Sequence, residues 1–131
     1  MIFVDANVPM FLLGRDHVHR TDAQVALERL AVARVRLVTS AEVLQEILHR
    51  YVSTRHHELV QPAFDLVSAL VDEVLPVTAE DVDDARDLVL GRPTLTARDA
   101  LHVAVMRRHR VAKILTYDRG FDDLPGIERV S

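Results

Sequence analysis

The sequence contains no cysteine among its 131 residues. That absence excludes disulfide bonds, thiolate catalysis and cysteine-ligated zinc sites, and it fits a reducing compartment such as the cytoplasm. Lysine is nearly absent as well, since Lys113 is the only one and every other fixed positive side chain is arginine. No apolar run is long enough to cross a bilayer, and the first residues lack the basic and apolar pattern of a signal peptide. We therefore expect a cytoplasmic protein with no membrane partner.

The residues that are present fit one compact domain that spans residues 1–131. Hydrophobic residues make up 49% of the chain, which is enough to build a core. The formal net charge of −4 argues against tight nonspecific binding of nucleic acid through a basic face. It does not exclude a nuclease, because acids that hold a metal ion would account for much of the negative balance.

Short apolar runs alternate with segments of helical period, which is typical of βα units. The predicted strands cover residues 2–4, 37–38, 74–77, 113–116 and 127–130. The predicted helices, with their capping residues, cover residues 8–13, 21–33, 39–51, 62–73, 78–90 and 96–109. Threonines begin four of them as predicted N-caps, and the last three have an acid three residues later: Thr21, Thr39, Thr78 and Thr96. Helical crossovers favour a mostly parallel sheet of about five strands with helices on both faces, which is a three-layer α/β/α fold.

Two aspartates follow predicted strands at the edge where such sheets bind ligands. Asp5 comes directly after strand 2–4, and Asp118 comes after the fourth strand. Parallel strands end on the same edge of the sheet, so these two carboxylates should lie close together. Glu46 and Asp99 lie on predicted helices that this fold brings beside that edge. Four acids without a phosphate loop, a cysteine pair or a lysine partner indicate a site for a hard divalent cation such as Mg²⁺ or Mn²⁺.

Three of the four acids also have a structural explanation. Asp5 could cap the next helix, Asp99 stands at the third position of a capping box, and Asp118 precedes Arg119-Gly120 in a turn. Glu46 has no such role, because it lies well inside its helix beside apolar positions. Two carboxylates about 4 Å apart repel by roughly 4 kcal/mol at an effective dielectric constant near 20. A cluster of four would therefore favour a compensating cation.

Four motifs in order along the chain resemble the PIN-domain ribonucleases, specifically the VapC-like toxins of bacterial toxin–antitoxin pairs. They are Ile-Phe-Val-Asp-Ala-Asn at 2–7, Thr-Ser-Ala-Glu-Val-Leu-Gln-Glu-Ile-Leu at 39–48, Ala-Arg-Asp-Ala-Leu-His at 97–102 and Thr-Tyr-Asp-Arg-Gly-Phe at 116–121. The resemblance covers nearly the whole chain and implies a PIN-like fold and a metal-dependent endoribonuclease. It also implies an RNA substrate, a VapB-type protein antitoxin, a homodimer and no small-molecule cofactor.

The resemblance also assigns roles to the four acids. Asp5 and Asp99 match the family's main metal ligands, and Asp118 matches the acid after the fourth strand. Glu46 matches the mid-helix acid of the family, because it stands six residues after Ser40. A Mg²⁺ or Mn²⁺ ion would activate a water for attack on an RNA phosphodiester, with Glu46 and Asp118 orienting that water or holding a second ion. The family commonly has Ser or Thr after its first Asp, whereas this chain has Ala6.

Several charged residues near the motifs have two possible roles. The arginines closest to the acids in sequence could bind flanking phosphates or could be ordinary surface charge: Arg15, Arg98 and Arg119. His102 could reach a metal from one turn after Asp99, but carboxylate-rich Mg²⁺ sites rarely use imidazole, which favours a core or rim histidine. The basic run 107–110 most simply complements a helix dipole. Glu42, a capping residue in this reading, and Asp122 could supplement the site.

Three alternative functions are compatible with parts of the sequence. One is a PIN-type nuclease that processes RNA outside any toxin pair, and another is a PIN-like binding module without catalysis. The retention of all four acids argues against the second. A phosphorylatable receiver domain also gathers acids at strand ends, but it needs a lysine after its last core strand. Lys113 precedes the fourth strand instead.

Overall fold

The computed structural model describes residues 1–14 and 18–131, which contain five β-strands and six α-helices. The strands are β1 Ile2–Val4, β2 Leu37–Ser40, β3 Glu73–Leu75, β4 Lys113–Leu115 and β5 Glu128–Val130. The α-helices are α1 Asn7–Leu13, α2 Arg20–Val32, α3 Ala41–Ser53, α4 Val60–Leu70, α5 Ala79–Gly91 and α6 Ala97–Arg108. Short 3₁₀ helices cover His57–Leu59 and Arg119–Phe121. Arg15 and His17 lie outside the described residues.

All five strands pair in parallel, in the order β3-β2-β1-β4-β5. The order reverses between β1 and β4, which is the topological switch point where ligands bind in open α/β sheets. Receiver domains of the flavodoxin-like class have the different order 2-1-3-4-5. The predicted parallel five-stranded sheet is therefore confirmed, and the receiver alternative is wrong on topology.

Successive residues of β1 enter opposite hydrophobic layers, as the pleat of a β-strand requires. Phe3 of β1 lies in a core with residues of α3, α4, α5 and α6. Its neighbours Ile2 and Val4 lie in a second core with residues of α1 and α2. Every residue of β1 is buried, so the strand that carries Asp5 is covered on both faces. The sheet is therefore the middle layer of an α/β/α arrangement.

Helix α2 departs from the sequence prediction in its start and its buried face. It begins at Arg20, so Thr21 lies inside the first turn instead of capping it. The buried residues are Ala23 and Ala26, whereas the larger apolar side chain of Val25 is 55% exposed. Small alanine side chains allow close approach to the sheet, and moving the helix start rotates which residues face inward. Helix propensity and hydrophobic periodicity alone did not show which residues of α2 face the sheet.

The predicted capping box of α3 was also wrong, by one residue. Ser40 is the N-cap, and its hydroxyl accepts a hydrogen bond from the amide of Val43. Thr39 instead continues β2, and its hydroxyl donates to the carbonyl oxygen of Val4. The inward face follows Val43, Ile47 and Tyr51, while Leu48 is 42% exposed. The capping box of Thr78 with Asp81 and the cap of α6 by Thr96 are confirmed.

The basic end of α6 has a structural role in this fold. Arg108 donates two hydrogen bonds to the buried carboxylate of Asp81 and a third to the carbonyl oxygen of Pro76. The hydrogen bond from Arg108 holds the pKa of Asp81 below its ordinary value. Arg107 donates to the carbonyl oxygen of Pro125. These contacts tie the end of α6 to the start of α5 and to the loops that contain Pro76 and Pro125. Of the helices that the structure describes, none has the length and apolarity to cross a membrane.

Candidate metal and active site

The site begins with two residues that leave the sheet side by side. Val4 of β1 pairs with Leu115 of β4, so the residues that follow, Asp5 and Thr116, are neighbours at the carboxyl edge. Asp5 is 4% exposed. Its Oδ1 accepts a hydrogen bond of 2.7 Å from the amide of Ala6, and its Oδ2 accepts one of 2.7 Å from the hydroxyl of Thr116. This first acid is therefore held firmly by both strands.

Thr116 is a hydrogen-bonding centre that sequence reasoning missed. Besides donating to Asp5, its hydroxyl accepts from Asn7 Nδ2 at 3.0 Å and from the amide of Asp118 at 3.1 Å. One hydroxyl thus uses its single donor and both acceptor positions, and it is fully buried. It fixes the first acid and the backbone of the fourth acid relative to each other. The available signal was its place one residue past β4, opposite Asp5 in the register.

Glu46 and His102 join the site from the two helices α3 and α6. The His102 ring is fully buried, and its Nε2 lies 3.4 Å from Glu46 Oε1 and 3.7 Å from Asp5 Oδ1. The predicted core position of this histidine is confirmed, and the ring also packs 5.5 Å from that of Phe3, centroid to centroid. Its Nδ1 finds no hydrogen-bond partner in the described part of the chain. His102 therefore fixes the acids through its other nitrogen.

Asp99 lies in the first turn of α6, where its amide donates to the hydroxyl of Thr96. Burial and the nearby charges of Asp118 and Asp5 raise the pKa of Asp99 from 3.8 to about 6, against the opposing effects of His102 and Thr96. The two aspartates therefore lie close enough to Asp99 to repel its charge. The fold therefore places Asp5 close to Asp99, although 94 residues separate them in sequence.

Asp118 is exposed at the start of the 3₁₀ turn, and its Oδ1 accepts a hydrogen bond of 2.8 Å from the amide of Gly120. A Cβ at position 120 would lie 3.1 Å from that oxygen, which explains why glycine suits the position. The turn role predicted for Asp118 is thus real, and it leaves the second carboxylate oxygen for another partner. The structural and the functional roles of this acid are compatible.

The carboxylates of Asp5 and Glu46 lie close to the buried imidazole of His102, and this crowding shifts the pKa of several groups. Burial is the main cause that raises the pKa of Asp5, and Glu46 adds to it, whereas His102 and the Thr116 hydrogen bond lower it. Burial lowers the pKa of His102, but the Glu46 hydrogen bond and the charges of Asp5, Glu46 and Asp99 outweigh it and raise the pKa overall. Each of these groups is perturbed because several negative charges share one partly dry space.

These residues fit a divalent cation. Single ligand atoms of Asp5, Glu46 and His102 lie within 4.8 Å of one another. Asp99 and Asp118 border the same cleft, which has a volume of about 530 Å³. All four predicted acids are therefore brought together, although the tightest group includes His102. Hard carboxylate oxygens suit Mg²⁺ or Mn²⁺, and the perturbed acids would be relieved by a positive charge.

Arg98 lies at the rim of this cleft and contacts acids. Its Nε is 3.6 Å from Glu46 Oε1 and 3.7 Å from Glu42 Oε1. Glu42 is therefore held beside Glu46 by a shared guanidinium and does not form the predicted capping box. Asp122, the other supplementary acid considered, pairs with Arg129.

Comparison with known proteins identifies the family. The family model for the PIN domain matches residues 2–127. The ribonuclease VapC13 of Mycobacterium tuberculosis is 53% identical to this chain over 131 residues, which is 100% of both sequences. This chain is a PIN-domain protein of the VapC ribonuclease family.

Solved VapC structures have the same fold. The VapC20 toxin of Mycobacterium tuberculosis, described as cleaving the sarcin–ricin loop, superposes with a TM-score of 0.74 and 24% identity over 90% of each chain. VapBC2 from Rickettsia felis, bound to a DNA fragment of its promoter, gives a TM-score of 0.75 and 17% identity over 99% of this chain and 98% of the other. At these identities, the comparison supports the fold of this VapC-family protein.

In this VapC-family protein, Ala6 has no hydroxyl to donate to Asp5, and Thr116, which follows β4, supplies one instead. The fully buried Ala6 donates its backbone amide to Asp5, and the side-chain hydroxyl comes from Thr116 across the sheet. With alanine at position 6, the first acid therefore still has two hydrogen-bond donors.

Replacing Thr116 by Val should destabilise the protein by about 1–3 kcal/mol, because Asp5 Oδ2, Asn7 Nδ2 and the amide of Asp118 each lose the hydrogen bond to its hydroxyl. Thr116→Ser is the matched control, since it keeps the hydroxyl and loses only a methyl group, at a cost of about 1 kcal/mol. Urea unfolding of both variants measures the difference. Equal stability of the Val and Ser variants would show that the hydroxyl is not the centre of this network.

Proposed function

We propose that this protein is a Mg²⁺- or Mn²⁺-dependent endoribonuclease that acts as the toxin of a toxin–antitoxin pair. The observation that carries the proposal is the convergence of four acids on one cleft at the switch point of the sheet. They come from the end of β1, from α3, from α6 and from the turn after β4. Metal dependence is supported by the donor set and by the raised pKa of Asp5 and of Asp99.

Three of the acids would hold the ion in this proposal. Asp5 and Asp99 supply the buried and half-buried carboxylates, and Asp118 supplies an exposed one from the turn. A bound divalent ion would lower the pKa of a coordinated water and neutralise charge on the phosphate group.

The protein side chains would then do the positioning. Glu46 presents a carboxylate that is 12% exposed in the cleft, where it can accept a proton from an attacking water. His102 contacts that carboxylate from the buried side at 3.4 Å, and the positively charged Arg98 contacts it from the rim at 3.6 Å. No side-chain nucleophile is required, which agrees with the absence of cysteine. Asp118, which lines the same cleft, would help to orient this water.

The substrate and partner follow from the relatives. VapC13, which matches the full length of the chain, is named a ribonuclease, so we propose RNA as the substrate. Among the structural neighbours are VapBC complexes, which supports a VapB-type protein antitoxin. We also propose a homodimer of single-domain protomers in the cytoplasm, as the sequence predicted. In cells, expression of the protein alone should stop growth, and coexpression of a DNA-binding antitoxin encoded beside it should restore growth. Growth unaffected by the active protein would argue for an RNA-processing role outside a toxin pair.

Glu46 and Glu42 provide a matched pair of variants that tests the assignment inside the cleft. Both glutamates contact Arg98 and lie one turn apart on α3, but only Glu46 contacts His102 and lines the cleft. Glu46→Gln should lower kcat for RNA cleavage by about 100-fold or more, as expected for loss of a positioned proton acceptor. Glu42→Gln should stay within about threefold of the wild type, because a rim ion pair contributes little. Equal losses of kcat in the two variants would contradict a specific catalytic role of Glu46.

A further inference from the structure

A second groove adjoins the acidic cleft and carries positive charge. It has a volume of about 510 Å³, and three arginines line it: Arg29 from α2, Arg119 from the turn after β4 and Arg129 from β5. We call it the arginine groove. The acids near it are Asp22, which also lines it, and Asp122, which pairs with Arg129. Arg29 and Arg119 form no ion pair with any acid in the described ranges. Arg29 donates one hydrogen bond of 3.2 Å to the carbonyl oxygen of Ser131. Two of the three guanidinium groups therefore carry a charge that no acid of the described residues neutralises.

The arginine groove is continuous with the cleft through a shared aromatic ridge. His19 and Tyr117 line both spaces, and their rings stack with centroids 4.7 Å apart and planes at 19°. Tyr117 directly precedes Asp118, and Arg129 reaches towards the carbonyl oxygen of Thr116 at 3.5 Å. A ligand strand that leaves the acidic cleft over this ridge would therefore enter the arginine groove directly beside the site.

The charge distribution favours a phosphate backbone as the occupant. The protein as a whole has a formal net charge of −4, and its cleft is lined by four acids, so its field repels RNA. Among the residues that the structure describes, Arg50 is the one arginine in the lining of the cleft, so further affinity for a polyanion would come from cations beside the cleft. Proteins that bind single-stranded nucleic acid combine such basic grooves with aromatic side chains. Arginine also forms forked hydrogen bonds with phosphate oxygens.

We propose that the arginine groove binds the backbone of single-stranded RNA that extends from the cleavage site over His19 and Tyr117, with Arg29 and Arg119 contacting phosphates. This inference rests on the proposed ribonuclease function and adds the path of the substrate. Arg129 serves mainly as a positioning residue, because Asp122 and the Thr116 carbonyl already engage it.

The test compares two double variants that remove the same charge. Arg29→Gln with Arg119→Gln removes the two guanidinium charges of the groove that form no ion pair with an acid of the described residues. Arg34→Gln with Arg110→Gln removes two exposed arginines that follow the ends of α2 and α6, at the opposite edge of the sheet. Binding of a labelled single-stranded RNA of about 12 nucleotides is measured by fluorescence anisotropy in an Asp5→Asn background, which prevents cleavage. Cleavage by the same pairs is measured with Asp5 intact, and melting curves verify that each variant folds.

We expect the groove variant to raise Kd and KM for RNA while kcat stays unchanged. The dependence of log Kd on log salt should be shallower by about 1.4, since each single-strand phosphate contact contributes about 0.7. The advantage of the wild type over the variant should therefore shrink roughly sevenfold between about 50 and about 200 mM salt. The control pair should keep the wild-type slope.

Three results would overturn the inference. One is the same affinity and slope in the groove variant as in the wild type, and another is an equal loss in both double variants. The third is loss of binding to an antitoxin peptide with RNA binding intact, which would assign the groove to a protein partner. Failure of the ribonuclease proposal itself gives a different result. In that case the wild type cleaves no RNA with any divalent ion, whereas the binding comparison still reports on the groove.

Discussion

Asp5→Asn is expected to lower RNA cleavage by at least about a thousandfold. Loss of an outer-shell partner of a metal ligand typically costs about 10–100-fold, so loss of a buried ligand charge should cost more. Asp5 is the most constrained acid of the cleft, because the residues that follow β1 and β4, Ala6 and Thr116, donate to its two oxygens and His102 lies at 3.7 Å. Asparagine keeps the shape of the side chain but not its charge. Single-turnover cleavage of a labelled RNA at saturating Mn²⁺ measures the effect.

The control for this variant is an acid of the same type outside the cleft. Asp87→Asn on α5 removes an exposed carboxylate that pairs with Arg86, and it should leave the cleavage rate within about twofold of the wild type, since surface ion pairs contribute little. A rate for Asp5→Asn above one tenth of the wild-type value would mean that its charge is not required. The metal would then have to be held without the first-strand acid, which the described geometry does not support.

Asp99→Asn is expected to have opposite effects on stability and function. In metal-free protein the charge of Asp99 is unfavourable, because burial, Asp118 and Asp5 raise its pKa to about 6. A neutral amide of the same shape removes this repulsion. At pH 7 we expect the metal-free variant to be more stable than the wild type by about 1–2 kcal/mol, with the full linkage value reduced for the solvent-exposed part of the side chain. Cleavage by the same variant should be lost.

The pH dependence gives this prediction a definite sign. The folded-state pKa of Asp99 lies above its ordinary value of 3.8, so the folded protein binds that proton more tightly than the unfolded chain does. The stability that the protonated group contributes is complete below a pH of about 4 and is lost as the pH rises through about 6. The advantage of Asp99→Asn in chelator should therefore appear over this window and persist at higher pH.

Divalent ions should reverse the order of the two proteins. A ligand at a hundred times its Kd stabilises the folded state by about 2.7 kcal/mol, which exceeds the repulsion removed in the variant. Melting curves in chelator and in Mn²⁺, for wild type, Asp99→Asn and Asp87→Asn, measure both effects. The account fails on this point if Asp99→Asn is less stable than the wild type without metal, or if Mn²⁺ stabilises both proteins equally.

Much of the fold could be predicted because the sequence encodes it locally. The buried strand Ile2–Val4, the capping box of Thr78 with Asp81 and the helix stop at Gly91 each depend on residues within a few positions. The sheet edge that gathers Asp5 and Asp118 followed from the rule for parallel strands. The errors in α2 and α3 arose where tertiary contacts decided the outcome. Thr39 bonds Val4 across the sheet instead of capping α3, and alanines instead of Val25 form the buried face of α2.

The details of the site depend on long-range contacts that local patterns do not contain. Thr116 bonds Asp5 over a separation of 111 residues, and His102 meets Glu46 over 56. The first contact is set by the register of β1 with β4, and the second by the packing of α3 against α6. The rarity of imidazole in Mg²⁺ sites favoured a core or rim position for His102, and the core position is the one found, but this argument gave no reason to place Nε2 against two acids. The four acids could be named from the sequence, whereas the groups that hold them could not.

The most direct test of the account follows metal binding and RNA cleavage together in one titration. Metal-free wild-type protein is titrated with Mn²⁺, with binding measured by calorimetry and single-turnover cleavage measured on the same preparation. The account predicts that both rise with one apparent Kd, that chelator abolishes both, and that Asp99→Asn shows neither. Full-rate cleavage in chelator, or at Mn²⁺ concentrations where no ion is bound, would contradict the claim that these acids form a metal-dependent ribonuclease centre.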